Sequence, residues 1–266
     1  MRLYFILPLF AACVGNIQRS ARVPHPAVPL ASGQPLGAPV EASAGLSNVA
    51  DLIAPQVGNP TQAVEVPSTQ MRDELRLRLR QRGQLALIYE RGFASTSKQP
   101  DSTQAPVGPG DVEGYGVSFG YSFATSIPGL SIAATFEVMA WSVPWVEYQT
   151  CTNCIGNVTI LEHGRANPMS LGLGLAQSYR RGPVTLFGGV FARNHPTTLR
   201  KEYHTDITFS DGEVRDGPLN VLLHAGAELE LNKTFSTLFV VHQDLTADPV
   251  RYGPGFGLAL SARLGG

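Results

Sequence analysis

Large apolar side chains alternate with small ones along several segments of this chain. In the clearest segment, Tyr115, Val117, Phe119, Tyr121 and Phe123 alternate with glycine, serine and alanine. Successive side chains of a strand point to opposite faces, so one face of this strand would be bulky and the other small. Only the small face fits inside a narrow barrel, and the bulky face would then lie outside it, in lipid. The pattern predicts a membrane-spanning β-strand.

The same alternation recurs through the rest of the chain. Six segments show it clearly and two carry large residues on both faces; they begin near Leu85, Tyr115, Leu130, Met169, Val184, Leu219, Phe235 and Phe256. The connections between them are alternately long and short, as are the outer loops and periplasmic turns of outer-membrane barrels. We therefore predict an all-β fold, an eight-stranded antiparallel up-and-down transmembrane barrel over residues 83–266. A soluble lipocalin-like barrel is the alternative, but its small residues would face solvent and its aromatic residues would crowd the lumen.

The region from Gly83 to Leu264 resembles the small eight-stranded outer-membrane proteins of Gram-negative bacteria. The resemblance lies in the strand count, the alternation of the two faces and the rhythm of the loops, and not in a sequence motif. It implies a bacterial outer-membrane location. We expect the barrel to be monomeric.

The first residues have the pattern of a secretory signal. Leu3–Phe10 is an apolar run that is too short to span a membrane as a helix, and we predict a signal peptide over residues 1–12. Leu9–Cys13 resembles a bacterial lipobox, although Phe10 stands where leucine is more typical. This resemblance predicts that Cys13 is lipidated and becomes the mature N-terminus. The alternative is an ordinary secretory signal with a chance cysteine.

The segment that precedes the predicted barrel divides into two parts. Residues 13–70 are rich in proline, alanine and glycine, which predicts a lipid-anchored disordered linker with at most a short helix at Leu46–Ile53. In Met71–Arg82, arginines interleave with leucines in a pattern that fits both a capped helix and an alternating strand. Because Gly83 begins the first clear strand, we favour a short basic amphipathic helix over residues 71–82, at the periplasmic rim. Its basic face would either contact anionic lipid headgroups or be solvated.

Two cysteines lie close together in a predicted outer loop. An oxidising compartment favours a disulfide between Cys151 and Cys154. Free thiols and a metal site are the alternatives, and a metal site would have only His163 nearby as a further ligand. We expect no metal and no cofactor.

Several charged residues fall on the predicted inner face of the barrel. A charge in a narrow lumen must be paired, so we expect Arg193 and Arg263 to bridge to Glu137 and Glu228. The same face carries Glu90, His224 and Glu230. The network would stabilise the barrel or, in the alternative interpretation, gate a narrow path through it.

Composition and motifs narrow the function further. The net charge of −1 argues against a nucleic-acid partner, and the chain has no GxSxG, HExxH or P-loop motif. We predict a non-enzymatic outer-membrane lipoprotein with a structural or surface-binding role. Its expected partners are outer-membrane lipid and a surface or envelope protein. A narrow gated channel and a lipid-modifying enzyme are the alternatives.

Overall fold

The computed structural model describes residues 15–22, 24, 27–48, 64, 65, 67–93, 109–151, 158–194, 219–245 and 254–265. These residues form thirteen strands: β1 (Gly15–Arg22), β2 (Val40–Asn48), β3 (Val64–Glu65), β4 (Thr69–Arg78), β5 (Gly83–Gly92), β6 (Val112–Ala124), β7 (Leu130–Cys151), β8 (Val158–Ala166), β9 (Met169–Arg181), β10 (Val184–Asn194), β11 (Leu219–Glu230), β12 (Phe235–Asp244) and β13 (Gly255–Leu264). No helix among the described residues is long and apolar enough to cross a membrane.

Ten of the described strands close an antiparallel barrel. The order around the ring is β2, β4, β5, β6, β7, β9, β10, β11, β12 and β13, and β2 pairs with both β4 and β13 to complete it. The all-β antiparallel barrel is therefore confirmed, whereas the prediction of eight strands is wrong. The two additional strands, β2 and β4, come from the part of the chain that we had assigned to a linker and a helix.

The predicted basic helix is strand β4 through Arg78, followed by a turn. Arg72, Glu74 and Arg76 point into the lumen and are buried, while Leu75 on the opposite face is exposed to the outside. The strand lets the inward charges of β4 meet ions of opposite charge in the lumen, while Leu75 and Leu77 lie on the outward face. A helix at the rim would have left these arginines without the glutamates of the neighbouring strands.

The predicted disordered linker also contains ordered chain. Val40–Asn48 is strand β2, and the predicted short helix at Leu46–Ile53 is wrong where it overlaps that strand; residues 49–53 lie outside the described residues. Residues 27–39 precede β2 and several of their side chains are buried. The proline-rich composition had indicated that no core could form locally, but here the core is supplied by the barrel wall.

The outer surface of the barrel is a belt of exposed apolar side chains. The predicted phase is confirmed, since Tyr115, Val117, Phe119, Tyr121 and Phe123 face outward and the glycines and serines that alternate with them face the lumen. The same holds for Leu171 and Leu258 on other strands. A closed barrel leaves no unpaired strand edge, and an apolar outer belt is the surface that such a barrel presents to hydrocarbon.

The two ends of the barrel differ. Residues 79–82, 125–129, 182–183 and 231–234 are the short turns of one end, which we call the short-turn end. At the other end, the long-loop end, β7 continues past the barrel as a strand of 22 residues. The continuation pairs with β1 on one side and β8 on the other, and β3 pairs with β1. In outer-membrane barrels the short turns are periplasmic and the long loops are on the outer side.

Candidate functional site in the barrel lumen

The N-terminal part of the chain passes through the barrel. Strand β1 lies at the long-loop end, whereas β2 starts at the short-turn end, where Val40 pairs with Leu77 and Leu264. Residues 27–38 connect these ends; we call them the lumen segment. Its buried side chains include Val28 and Leu30, which pack in one apolar cluster with inward residues of β10, β11, β12 and β13. The lumen is thus occupied by the protein's own chain.

The lumen segment is also held by hydrogen bonds to the barrel wall. The backbone N–H of Leu30 donates to Glu74 at 3.2 Å, and its carbonyl accepts from Arg76 at 2.9 Å. The Ser32 hydroxyl donates to Glu228 at 2.6 Å. These bonds satisfy two backbone groups of Leu30 and the Ser32 hydroxyl, each of which would cost about 1–3 kcal/mol if it were buried without a partner.

A turn of the lumen segment near the short-turn end depends on Gly33. Its φ of +79° is in the left-handed region, and its carbonyl accepts hydrogen bonds from Ser122 at 3.0 Å and Ser131 at 3.3 Å. A Cβ at this position would lie 3.3 Å from the Cβ of Ala133. Gln34 then donates to the Ser178 hydroxyl at 3.0 Å. The small inward residues of β6, β7 and β9 leave the room that this turn occupies.

Five charged side chains meet near the middle of the lumen, and we call them the upper ion-pair cluster. Arg72 pairs with Glu74 at 2.6 Å and Glu137 at 2.7 Å, and also with Glu90. Arg193 pairs with Glu90 at 3.1 Å and Glu137 at 3.2 Å, so the cluster reaches from β4 and β5 across to β10. The Arg193 guanidinium lies 4.9 Å from the centroid of the Trp141 ring.

Four further charged residues form the lower ion-pair cluster at the short-turn end. Arg263 pairs with Glu41 at 3.1 Å, with Glu228 at 2.9 Å and with Glu230. Arg76 joins the two clusters, because it lies 2.6 Å from Glu41 and 3.6 Å from Glu74. A continuous chain of ion pairs therefore follows the inner wall from Arg193 to the short-turn end.

The long-loop end of the lumen is lined by apolar side chains. Ala21 of β1 packs with Ile88, Met139, Trp141 and Val143, all of which are buried. The Trp141 indole N–H donates to the Ser170 hydroxyl at 2.8 Å. Strand β1 thus lies over the mouth above the upper ion-pair cluster, and the apolar cap, the ion pairs and the lumen segment all lie in the interior.

The structure brings most of the lumen residues expected from the sequence into ion pairs. Arg193 pairs with Glu137 and Arg263 pairs with Glu228, whereas Glu137 pairs with Arg72 and Arg193 rather than with Arg263. His224 lies opposite His242, 6.3 Å from the Phe187 ring between centroids, and its Nδ1 has no hydrogen-bond partner among the described residues. His224 is therefore part of the buried wall and not of the ion-pair chain.

Sequence reasoning missed four members of this chain of ion pairs: Glu41, Arg72, Glu74 and Arg76. They lie on β2 and β4, the strands that were assigned to the linker and the helix. For the three residues on β4, the signal is the alternation of arginines and leucines in Met71–Arg82, which fits a strand as well as a helix. In β2 the alternation is weaker, since its residues are mostly small.

The predicted cysteine sites fall largely outside the described residues. Cys151 ends β7, but Cys154 and Cys13 lie outside the described residues, so the disulfide and the lipidation remain predictions. His163 lies on β8, opposite Val146. Within the described ranges, no three His, Cys, Asp or Glu side chains are grouped so that they could hold a metal ion.

Comparison with known proteins gives structural likeness only. No family model matches the chain, and no curated protein matches it. The similar solved structures include an outer membrane channel from Pseudomonas putida, with 13% identity over 86% of this chain and 96% of that chain and a TM-score of 0.42. The translocator domain of the autotransporter NalP from Neisseria meningitidis has 8% identity over 86% and 90% of the two chains and a TM-score of 0.39. KdgM porin, solved with disordered oligogalacturonate, has 8% identity over 84% and 99% and a TM-score of 0.39.

These low scores carry no argument about function. The closed antiparallel barrel, its outward apolar belt and the contrast between its two ends are features of this chain itself, and they are those of a bacterial outer-membrane β-barrel. The protein is therefore located in the outer membrane.

Proposed function

We propose that this protein is a closed, non-enzymatic outer-membrane barrel that supports a binding surface on the outside of the cell. The observation that carries the proposal is the lumen segment, which occupies the interior together with the two ion-pair clusters. A barrel filled in this way has a structural role, and among the described residues the part that extends beyond the barrel is the small sheet at the long-loop end.

The small sheet offers an accessible and firmly supported surface. In β8, the apolar side chains of Ile160 and Leu161 are exposed. They lie beyond the barrel and are therefore not part of its outer apolar belt. The continuation of β7 pairs with β8, with Tyr148 opposite Ile160, and carries buried Val143 and Tyr148; burial raises the pKa of the Tyr148 phenol to about 12. An exposed apolar strand on a rigid base suits a protein partner better than a small solute.

The lipid anchor at Cys13 is a second part of the proposal, and the position of β1 indicates on which side of the membrane it lies. Gly15 begins β1 and pairs with Cys151 at the long-loop end. Cys13 precedes Gly15 by two residues, a length of chain that spans at most about 7 Å. An acyl chain on Cys13 would therefore be on the outer side of the membrane, and the protein would be a surface lipoprotein that the barrel also holds in the membrane.

Conductance in planar bilayers tests the closed barrel. We expect the full chain to give no steady conductance, and a chain from which residues 15–38 are deleted to conduct. The deleted chain must still migrate faster on gels unheated than heated, which shows that its barrel has closed. Steady conductance by the full chain would overturn the proposal and favour a channel.

Acyl labelling tests the anchor separately. We expect wild type to incorporate labelled fatty acid and Cys13→Ala to lose it, while the barrel of the variant still folds. A tag placed after Cys13 should be digested by protease added to whole cells. An unmodified N-terminal peptide, or a tag that is protected until the outer membrane is opened, would contradict this part of the proposal.

A gated channel is the second candidate, and one observation favours it. The described residues 27–38 pair with no strand of the wall, so the lumen segment is held by separate hydrogen bonds and apolar contacts rather than by a ladder. Such a segment could leave without opening the barrel. Voltage-dependent openings of the full chain that disappear when a disulfide is engineered between the segment and the wall would support this candidate.

A further inference from the structure

The turn between β4 and β5 forms a groove on the outer side of the barrel, at the short-turn end. The groove has a volume of about 600 Å³ and is lined by Leu79, Arg80, Gln81, Arg82, Gly83, Phe119 and Tyr121. It lies where the apolar belt meets the periplasmic side. Phe119 and Tyr121 make the part beside the belt apolar, and Arg80 and Arg82 make the periplasmic rim basic. This site is separate from the lumen and plays no part in the function proposed above.

The arginines of the groove differ from those of the lumen in having no partner of opposite charge among the described residues. Arg72, Arg76, Arg193 and Arg263 are each paired with glutamates. Among the described residues, the side chains of Arg80 and Arg82 have no hydrogen bond or ion pair, and both are exposed. A guanidinium presents five donors in a fixed fork that suits phosphate, and none of these donors is used here.

The backbone that carries the two arginines is held in place. The Leu79 N–H donates to the Gly83 carbonyl at 3.0 Å, and the Ser122 N–H donates to the Arg82 carbonyl at 3.0 Å. The turn is therefore tied to both β5 and β6. A ligand that pairs with the guanidinium groups would not have to order the backbone first, which lowers the entropic cost of binding.

Gly83 and two aromatic residues shape the apolar part of the groove. Gly83 pairs with Tyr121 across the strands, and Phe119 lies two residues further along the same outward face. The lack of a side chain at Gly83 leaves open space beside the Tyr121 ring, since a Cβ there would meet only the Cβ of Leu79, at 3.8 Å. Aromatic rings at this depth lie at the level of the glycerol backbone and headgroups.

We propose that this groove binds the phosphate headgroup of an anionic phospholipid of the periplasmic leaflet. Arg80 and Arg82 would pair with the phosphate oxygens, and the glycerol and first methylenes would lie over Tyr121 and Phe119. Each arginine beside an anionic leaflet contributes about 1 kcal/mol of binding free energy, which is about a fivefold change in affinity. The outward apolar belt already places the acyl chains beside the groove, so a membrane lipid fits it better than a soluble anion.

Native mass spectrometry of the full-length protein in detergent tests the proposal, with phosphatidylglycerol and phosphatidylcholine as probes. We expect one phosphatidylglycerol to be retained at least tenfold more tightly than phosphatidylcholine. Arg80→Gln combined with Arg82→Gln should lower that affinity about 25-fold. Gly83→Leu should also lower it, because the new side chain fills the groove and leaves the charge unchanged.

Two controls separate this site from general attraction and from free phosphate. Lys233→Gln removes a cation from another short turn and should leave the affinity unchanged. Inorganic phosphate at millimolar concentration should not displace the lipid. Equal binding of the two lipids, full binding by the double variant, an equal loss in Lys233→Gln, or displacement by phosphate would each overturn the proposal. Wild-type gel mobility of each variant confirms that its barrel is folded.

Discussion

The upper and lower ion-pair clusters have the same chemistry and different surroundings. Side-chain exposure is 0–4% in the upper cluster, whereas in the lower cluster it is 5% for Glu41, 12% for Glu228, 14% for Arg263 and 20% for Glu230. Desolvation makes an unpaired ion far more costly in the upper cluster, while water at the short-turn end can reach and solvate a broken pair. The same residue types should therefore contribute more to the stability of the barrel in the upper cluster than in the lower cluster.

Removal of Arg72 should have the largest effect. Arg72→Leu leaves Glu74, Glu90 and Glu137 with less opposite charge in a dry part of the lumen. We expect a loss of about 3–5 kcal/mol in the free energy of unfolding, measured by urea denaturation in lipid vesicles. Glu137→Gln in the same chain should restore part of the loss. A loss below about 1 kcal/mol would show that the upper cluster is hydrated.

Removal of Arg263 should cost less. Arg263→Leu leaves Glu41, Glu228 and Glu230 near the short-turn end, and we expect a loss of about 1–3 kcal/mol because these carboxylates gain water. A double-mutant cycle with Glu228→Gln should show coupling. The same cycle with Glu137→Gln should be additive to within about 0.5 kcal/mol, since Glu137 belongs to the upper cluster. Coupling of equal size in both cycles would mean that the two clusters act as one.

The turn of the lumen segment can be tested without any change in charge. Gly33→Ala places a Cβ at φ +79°, and close to Ala133, and should cost about 1–2 kcal/mol through the left-handed conformation alone. Gly37→Ala is the matched control, since a Cβ there has nothing within 4 Å and its φ is not positive. Because Ser32 precedes Gly33 and bonds Glu228, we also expect Gly33→Ala to weaken the coupling between Arg263 and Glu228. Equal unfolding midpoints for the two variants would contradict this.

The exposed pair beside the lower cluster should matter least. Arg180 lies 2.6 Å from Glu230, and its side chain is 43% exposed. Arg180→Gln should change the free energy of unfolding by less than about 1 kcal/mol, because solvent and salt screen such a pair. We expect urea midpoints of wild type and variant to converge in 0.5 M salt, about three times the physiological ionic strength. A larger effect that persists in salt would place Arg180 in the lower cluster.

Much of the barrel could be predicted from the sequence. The predictions failed where a segment fits both a helix and a strand, or where its partners are distant in the sequence. The alternation from Tyr115 to Phe123 needs only the period of a strand and the contrast between lipid and lumen, so its phase was correct. Met71–Arg82 was assigned wrongly because leucine and arginine favour helices as well as fitting a strand, and its inward charges find partners only on other strands. The ion pair between Arg72 and Glu137 joins residues 65 positions apart, which no local pattern reports.

The sequence by itself determined that this chain builds a membrane barrel, which side of each clear strand faces lipid, and which charges of those clear strands enter the lumen. These properties follow from side chains that alternate every two residues, and they can be read in any short window. Only the tertiary structure decided that β2 and β4 complete a ring of ten, and that residues 27–38 fill it. The physical reason is that the lumen segment has no core and no ladder of its own; its order comes from bonds such as that of Ser32 to Glu228, 196 residues away.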